Sequence, residues 1–132
     1  MAVERITHAH RTLAIILRSG GGEPGVHFAT DADAPLQLGE IVRPAGFVIQ
    51  PHAHNLGKRI VTETYEVLHV LSGTLQVDLY GDFPSPVTTR RLEAGDTVLL
   101  MSGGHGFTFV TDCRLLEVKQ GPYLDADDKT YL

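Results

Sequence analysis

The sequence predicts an all-β fold, and three observations carry that prediction. Its apolar runs are short and rich in β-branched residues, turn-forming residues bound almost every run, and no segment keeps a period near 3.6 residues. The chain has 132 residues, 42% hydrophobic and 20% charged, which is the size and composition of one globular domain with its own core. About ten such runs, spaced from turn to turn, are typical of a β-sandwich or barrel.

Each predicted strand is defined by the residues that stop it. The first, a β-branched and leucine run, ends at the glycines of residues 20–22. Gly73 and Gly95 mark later turns, and the polar stretch 55–59 interrupts the middle of the chain. The predicted strands cover residues 12–18, 26–30, 36–42, 46–50, 64–71, 74–80, 87–92, 97–101, 106–111 and 114–119.

The charge and the cysteine content of the chain limit the classes of function that it can have. A net charge of −5 with no basic run argues against nucleic acid and anionic membrane surfaces as partners. The longest apolar run, residues 13–17, is far too short to span a bilayer, and residues 1–7 lack the pattern of a signal peptide, so we expect a cytoplasmic protein. Cys113 is the single cysteine, so a bound metal would need nitrogen and oxygen ligands.

Two histidines separated by one residue, His52 and His54, follow the strand predicted at 46–50. Alternate side chains of a strand point to the same face, so we expect both imidazoles to project together with Gln50. Two neutral imidazoles form a chelating pair that suits Zn, Cu, Fe or Ni. The same spacing occurs at residues 8–10 without a suitable carboxylate, so spacing alone is a weak signal.

Two later features favour the pair at residues 52–54. Glu66 lies in an apolar strand, where a carboxylate is costly unless it is paired, hydrogen-bonded or coordinated. Further along, a Ser-Gly-Gly turn leads to His105, which is followed by Phe107 and Phe109 on the same face. A carboxylate and a third imidazole are therefore available to join the pair.

These residues resemble the first motif of the cupin superfamily. That motif is a glycine, five residues, His-x-His, three or four residues, a glutamate, six residues and a glycine. Gly46, His52, His54, Glu66 and Gly73 match every spacing but one.

The second cupin motif is matched in part. Gly95 and His105 occupy its glycine and histidine positions, residues 102–104 replace its proline turn, and Phe109 stands where the family has asparagine. The resemblance covers residues 41–118, well over half of the chain.

The one departure in the first motif is the interval between His54 and Glu66. It contains eleven residues, and we assign the excess to an expanded loop at 55–61. The competing carboxylate, Glu63, would point to the opposite face and misses the spacing to the following glycine. Glu66 is therefore the preferred ligand, with Glu63 as the alternative.

The resemblance implies a double-stranded β-helix, which is a small jelly-roll barrel in a single domain. The barrel would span residues 36–120, with residues 1–35 as an arm or extra strands packed on it and residues 121–132 as a polar tail. Small one-domain cupins usually pair through their outer strands, so the resemblance also implies a homodimer.

The resemblance further implies one divalent metal ion, Fe, Mn, Ni or Zn, with positions left open for water or substrate. Its ligands would be His52, His54, Glu66 and His105. Such a site predicts an enzyme that isomerises or dioxygenates a small oxygen-rich metabolite, namely a keto acid, a sugar or a uronate derivative. Glu66 would also shuttle protons, and Arg59 or Lys58 would hold an anionic end of the substrate.

The residues predicted to line the pocket are Gln50, Gln76, Phe107 and Phe109. Two other functions stay open at this point, because one fold carries many activities. The first is a module that binds or senses a metal or a sugar without turnover. The second is a metal-free sugar-nucleotide isomerase, which the few basic residues and the absence of tryptophan make less favourable.

Overall fold

The computed structural model of the chain describes residues 2–82, 84–123 and 129–132, and the regular structure there is entirely β-strand. The all-β prediction is confirmed. The described ranges contain no helix with the length and hydrophobicity that a bilayer crossing needs. In order, the strands are β1 (Val3–His8), β2 (Arg11–Leu17), β3 (Gly25–Phe28), β4 (Gly39–Val42), β5 (Glu66–Ser72), β6 (Thr74–Tyr80), β7 (Pro86–Glu93), β8 (Thr97–Leu100), β9 (Gly104–Phe109) and β10 (Arg114–Lys119).

These strands form two main sheets and a separate hairpin. The larger sheet has the order β1-β2-β8-β5-β10, the smaller has the order β7-β6-β9, and β3 pairs with β4 alone. All neighbours are antiparallel. In the part of the chain that the structure describes, no sheet closes into a barrel, and β9 and β10 are edge strands.

The core lies between the inner faces of the two main sheets. Burial alternates strictly along β6, where Leu75, Val77 and Leu79 are buried and their neighbours are not. Period-two alternation of this kind is expected of a strand with one face on a core. From the larger sheet, the buried members of this core include Ala14, Ile16, Leu68, Val70, Val98 and Leu100.

A second, smaller core covers the outer face of the larger sheet. Ile15, Tyr65 and Leu99 are buried there beneath the connection between β3 and β4, residues 29–38. The larger sheet is thus covered on both faces at β2 and β8. For this reason residues 13–16 are all fully buried, as an uninterrupted apolar run instead of an alternating one.

The first two strands, β1 and β2, belong to the larger sheet. The sequence predicts residues 1–35 as an arm or extra strands packed on the barrel, whereas β2 pairs with β8 inside the larger sheet and only β3 lies outside both main sheets. β1, which was not predicted, pairs with β2 through a two-residue turn whose members, Ala9 and His10, have φ of 50° and 64°. Two positive φ values are typical of a type I′ hairpin turn, so the histidine spacing at residues 8–10 belongs to that hairpin.

The strand predicted at residues 46–50 is not present. Residues 43–65 contain no strand, and the side chain of Val48 is 77% exposed. Pro44 and Pro51 flank the run and each lacks an N–H donor, and no described strand pairs with it. The other predicted strands have counterparts: those at 74–80 and 114–119 have the predicted ends, and the rest have ends shifted by one to three residues. The acidic part of the predicted tail, residues 125–128, lies outside the described residues.

Candidate functional site

The larger of two cavities lined by described residues lies at one end of the space between the two main sheets. It has a volume of about 940 Å³. Residues of β5, β9 and β10 line it, together with Tyr80 at the end of β6 and residues 129–132. The chemically important side chains that line it are Glu66, His105, Glu117 and Lys119.

Strand alternation explains why these polar groups point inward. Glu66 begins β5 and shares its face with the buried Leu68 and Val70. His105 shares a face of β9 with Phe107, which packs against the core. The cavity is therefore the polar end of the same inner face that is apolar further along the sheets.

Glu66 and His105 meet across the two sheets. His105 Nε2 lies 3.6 Å from Glu66 Oε2, and the side chains are 32% and 17% exposed respectively. The contact with His105 is the main reason that the pKa of Glu66 is lowered, although burial acts in the opposite direction. The His105 ring also packs on Phe107, with ring centroids 5.3 Å apart. Glu66 is therefore an ionised carboxylate facing an imidazole that is held in place by an aromatic side chain.

A second carboxyl group, Glu117, adjoins this pair. Its hydrogen bond with Glu66 raises the pKa of Glu117, burial raises it further, and the same bond contributes to the lowered pKa of Glu66. The contact between the two carboxyl groups thus shifts their pKa values in opposite directions, up for Glu117 and down for Glu66. The positive charges of Lys119 and Lys129 act on Glu117 in the opposite direction, which brings both lysines into the electrostatics of the cavity.

His52 and His54 lie in residues 43–65, outside the sheets, and are exposed. Their rings form an edge-on pair with centroids 5.4 Å apart, and His52 Nδ1 lies 2.8 Å from the carbonyl oxygen of Gln50. Among the described residues, no group of three or more His, Cys, Asp or Glu side chains is arranged to hold a metal ion. The structure thus brings Glu66 and His105 together, and the four-ligand set stays a prediction.

The remaining predicted site residues are dispersed. Phe107 lines the cavity, whereas Phe109 is 57% exposed at the end of β9. Gln76 lies on the face of β6 opposite to the core residues and donates to Asp78 Oδ1 at 3.2 Å. Gln50 and Arg59 are exposed in residues 43–65.

Glu63, the alternative carboxylate, lines a different and smaller cavity of about 360 Å³. Asp31, Asp33 and Tyr65 also line it. Burial, followed by the contact with Glu63, raises the pKa of the Tyr65 hydroxyl. Glu63 therefore acts on Tyr65, while Glu66 is the carboxylate that faces His105.

Comparison of the chain with protein-family models, with curated proteins and with solved structures found no match. Glu66 and His105 are common to the cupin-like motifs and to the cavity between the sheets.

Proposed function

We propose that this chain is a divalent-metal-dependent enzyme of the cupin type, which isomerises or dioxygenates a small oxygen-rich metabolite. The observation that carries the proposal is the Glu66–His105 pair, in which a carboxylate and an imidazole from facing sheets lie 3.6 Å apart. The pair opens into a cavity of about 940 Å³, which is within the size range of small-molecule sites.

The chemistry of this pair fits a divalent ion. Carboxylate oxygen and imidazole nitrogen are both ligands for Fe, Mn, Ni and Zn. An ionised carboxylate beside an apolar core carries a desolvation cost that a cation would offset, and Glu66 shares its strand face with Leu68 and Val70. Glu66 and His105 would supply two ligands of the ion.

We infer that His52 and His54 supply the remaining ligands when residues 46–50 join the smaller sheet. The outer edge of β9 has no neighbour among the described strands, and β9 carries His105. The exposed apolar side chains at residues 47–49 would gain burial there, each contributing up to about 1.5–3 kcal/mol. Such pairing would extend the smaller sheet towards the jelly-roll barrel that the motifs imply.

A bound metal would polarise a carbonyl or hydroxyl oxygen of the substrate. Side chains of the cavity would hold the ion in place and limit the access of water. Glu66 and His105 would hold the ion, Glu117 would adjoin Glu66, and Phe107 would form an apolar wall that limits the access of water.

We propose that the enzyme is a cytoplasmic homodimer, and the outer face of β10 supports the dimer. Leu116 and Val118 are 53% and 51% exposed on that edge strand, next to Val67 and His69 of β5. Their side chains point away from the cavity because they alternate with Leu115, which packs on the core. A second copy would cover this apolar strip without obstructing the site.

The proposal is tested by elemental analysis of protein purified without a metal-affinity tag. We expect about one equivalent of divalent metal in the wild type, as for a single site with these ligands. The variants Glu66→Gln, His105→Ala and His54→Ala should lose it. His8→Ala is the matched control, because His8 begins the other His-x-His sequence and should leave the metal content unchanged.

The outcomes separate the parts of the proposal. Metal that is lost in Glu66→Gln and retained in His54→Ala would keep the site in the cavity and refute the pairing of residues 46–50 with β9. If none of the proteins contains metal, and none takes up added Fe, Mn, Ni or Zn, the metal-dependent function is wrong.

A further inference from the structure

Residues 129–132 line the cavity between the sheets but belong to no strand. We propose that these four residues, called the strap from here on, cover the mouth of the cavity and must move aside before a ligand can reach the Glu66–His105 pair. The inference goes beyond the proposed function, because it concerns access to the cavity and holds whether or not a metal is bound there.

The strap is held at two places, one on each of two strands that line the cavity. At one place, Leu132 packs on Gly104 at the start of β9, where its Cδ1 would lie 2.5 Å from a Cβ added to that glycine. At the other place, the positive charge of Lys129 acts on Glu117 of β10, against the hydrogen bond with Glu66 and the burial that raise the pKa of Glu117. Because β9 and β10 belong to different sheets, these two contacts place the strap across the space between the sheets.

The exposure of the strap places it on the solvent side of the cavity. Tyr131 and Leu132 are 88% and 65% exposed, although both line the cavity. The side chains of Glu66 and His105 line the same cavity and are only 17% and 32% exposed. Residues that border both the cavity and the solvent lie at its mouth. A ligand that enters on this side therefore has to pass the strap.

The strap is held weakly enough to move. No hydrogen bond joins residues 129–132 to another residue that the structure describes. Lys129 is exposed, so water and salt screen its attraction to Glu117. Segments with few buried apolar contacts and no backbone hydrogen bonds are the ones that open locally at small cost. The strap can therefore open for entry and close again, which would limit the access of water to the cavity.

The test is modification of the histidines by diethyl pyrocarbonate, quantified by mass spectrometry of peptides, on protein that a chelator has freed of metal. This small neutral reagent reacts with accessible neutral imidazoles, so the rate at His105 reports how often the cavity is open. In the wild type we expect His105 to react more slowly than the exposed His54. Leu132→Asp and Lys129→Glu each disrupt one contact of the strap and should raise the His105 rate at least about threefold, since that rate follows the fraction of open molecules.

Three controls make the result specific to the strap. Leu132→Met keeps the apolar contact and should leave the His105 rate as in the wild type. His69 is half-buried on the outer face of the larger sheet, with its Nδ1 2.8 Å from Thr97 Oγ1, so its rate should change only if that sheet opens. Added negative charge near an imidazole favours the protonated form, which does not react. Faster modification in the two acidic variants would therefore not be an effect of their charge.

An unchanged His105 rate in both acidic variants would overturn the inference, whereas a rise in only one of them would identify the contact that holds the strap. A rise at His69 as large as that at His105 would assign the effect to a general loss of structure and would also overturn it. So would an equal rise in Leu132→Met and Leu132→Asp. If the His105 rate rises as expected while elemental analysis finds no metal, the strap stands and the metal-dependent function is wrong.

Discussion

The substitution Asp96→Asn tests the hydrogen bonding that joins the end of β2 to the turn between β7 and β8. Asp96 is 4% exposed. Its Oδ1 accepts from the backbone N–H of Ser19 at 2.8 Å, and its Oδ2 accepts from the backbone N–H of Glu93 at 2.8 Å. Arg18 Nη1 donates to the same Oδ2 at 3.2 Å. Asparagine has almost the same shape, but one of its two terminal groups is a donor.

In Asp96→Asn, an amide NH₂ would therefore face a backbone N–H donor that has lost its acceptor. A buried donor left unsatisfied costs about 1–3 kcal/mol. The contact with Arg18 adds less, because that side chain is 35% exposed and the pair is partly screened. We expect the free energy of unfolding, measured by urea denaturation at pH 7, to fall by about 2–3 kcal/mol. Asp112→Asn, at an exposed position, is the control and should stay within about 0.5 kcal/mol of the wild type.

The pH dependence gives an independent check. Burial alone would raise the pKa of Asp96, but the two backbone N–H groups and Arg18 lower it. A lowered pKa in the folded state means that this stabilisation is complete above the unfolded pKa of about 3.9 and is lost as the pH falls through the folded value. The gap between wild type and Asp96→Asn should therefore narrow below about pH 4. An Asn variant as stable as the wild type at pH 7, or a gap that does not change down to pH 3, would refute this account.

Two further substitutions test the assembly and the backbone near the cavity. Leu116→Lys places a charge on the exposed apolar strip of β10 and should convert the proposed dimer to a monomer. Light scattering measures the molar mass, and an unchanged mass would count against that interface. Gly103→Ala should lower the free energy of unfolding by more than about 1 kcal/mol, because Gly103 has a φ of 69° and an added Cβ would clash with the carbonyl oxygen of Tyr80. Gly57→Ala, which has open space around it, is the control, and an equal loss in both variants would contradict the steric argument.

Most strands could be predicted because glycine, proline and aspartate mark their ends in the sequence. The two exceptions depend on strand pairing, which a local pattern does not contain. β1 was missed because Ile6 is its only side chain buried in the core, so the strand depends on pairing with β2 rather than on its own pattern. Residues 46–50 have the composition of a strand but no described partner. A β-strand requires a neighbouring strand to pair with, and the sequence of residues 46–50 does not show whether one is available.

The candidate site likewise contains residues that the sequence predicted and residues that it did not. Glu66 and His105 were identified from motif spacing, whereas Glu117 and Lys119 were not. β10 carries large apolar side chains on both of its faces, so alternation could not show which face is inner until the packing of Leu115 was known. The neighbours of these residues come from β5 and β9, and such long-range proximity is a property of topology.

The strand order of the larger sheet has a consequence for folding. β2 pairs on one side with β1 and on the other with β8, whose residues 97–100 are synthesised long after it. At a synthesis rate of about 5–20 residues per second, this partner follows several seconds later. During that time the apolar residues 13–16 have only β1 beside them. The fully buried apolar segment 13–16 therefore lacks its second sheet neighbour until β8 has been made, which makes the β1–β2 hairpin a place where aggregation or chaperone capture would begin.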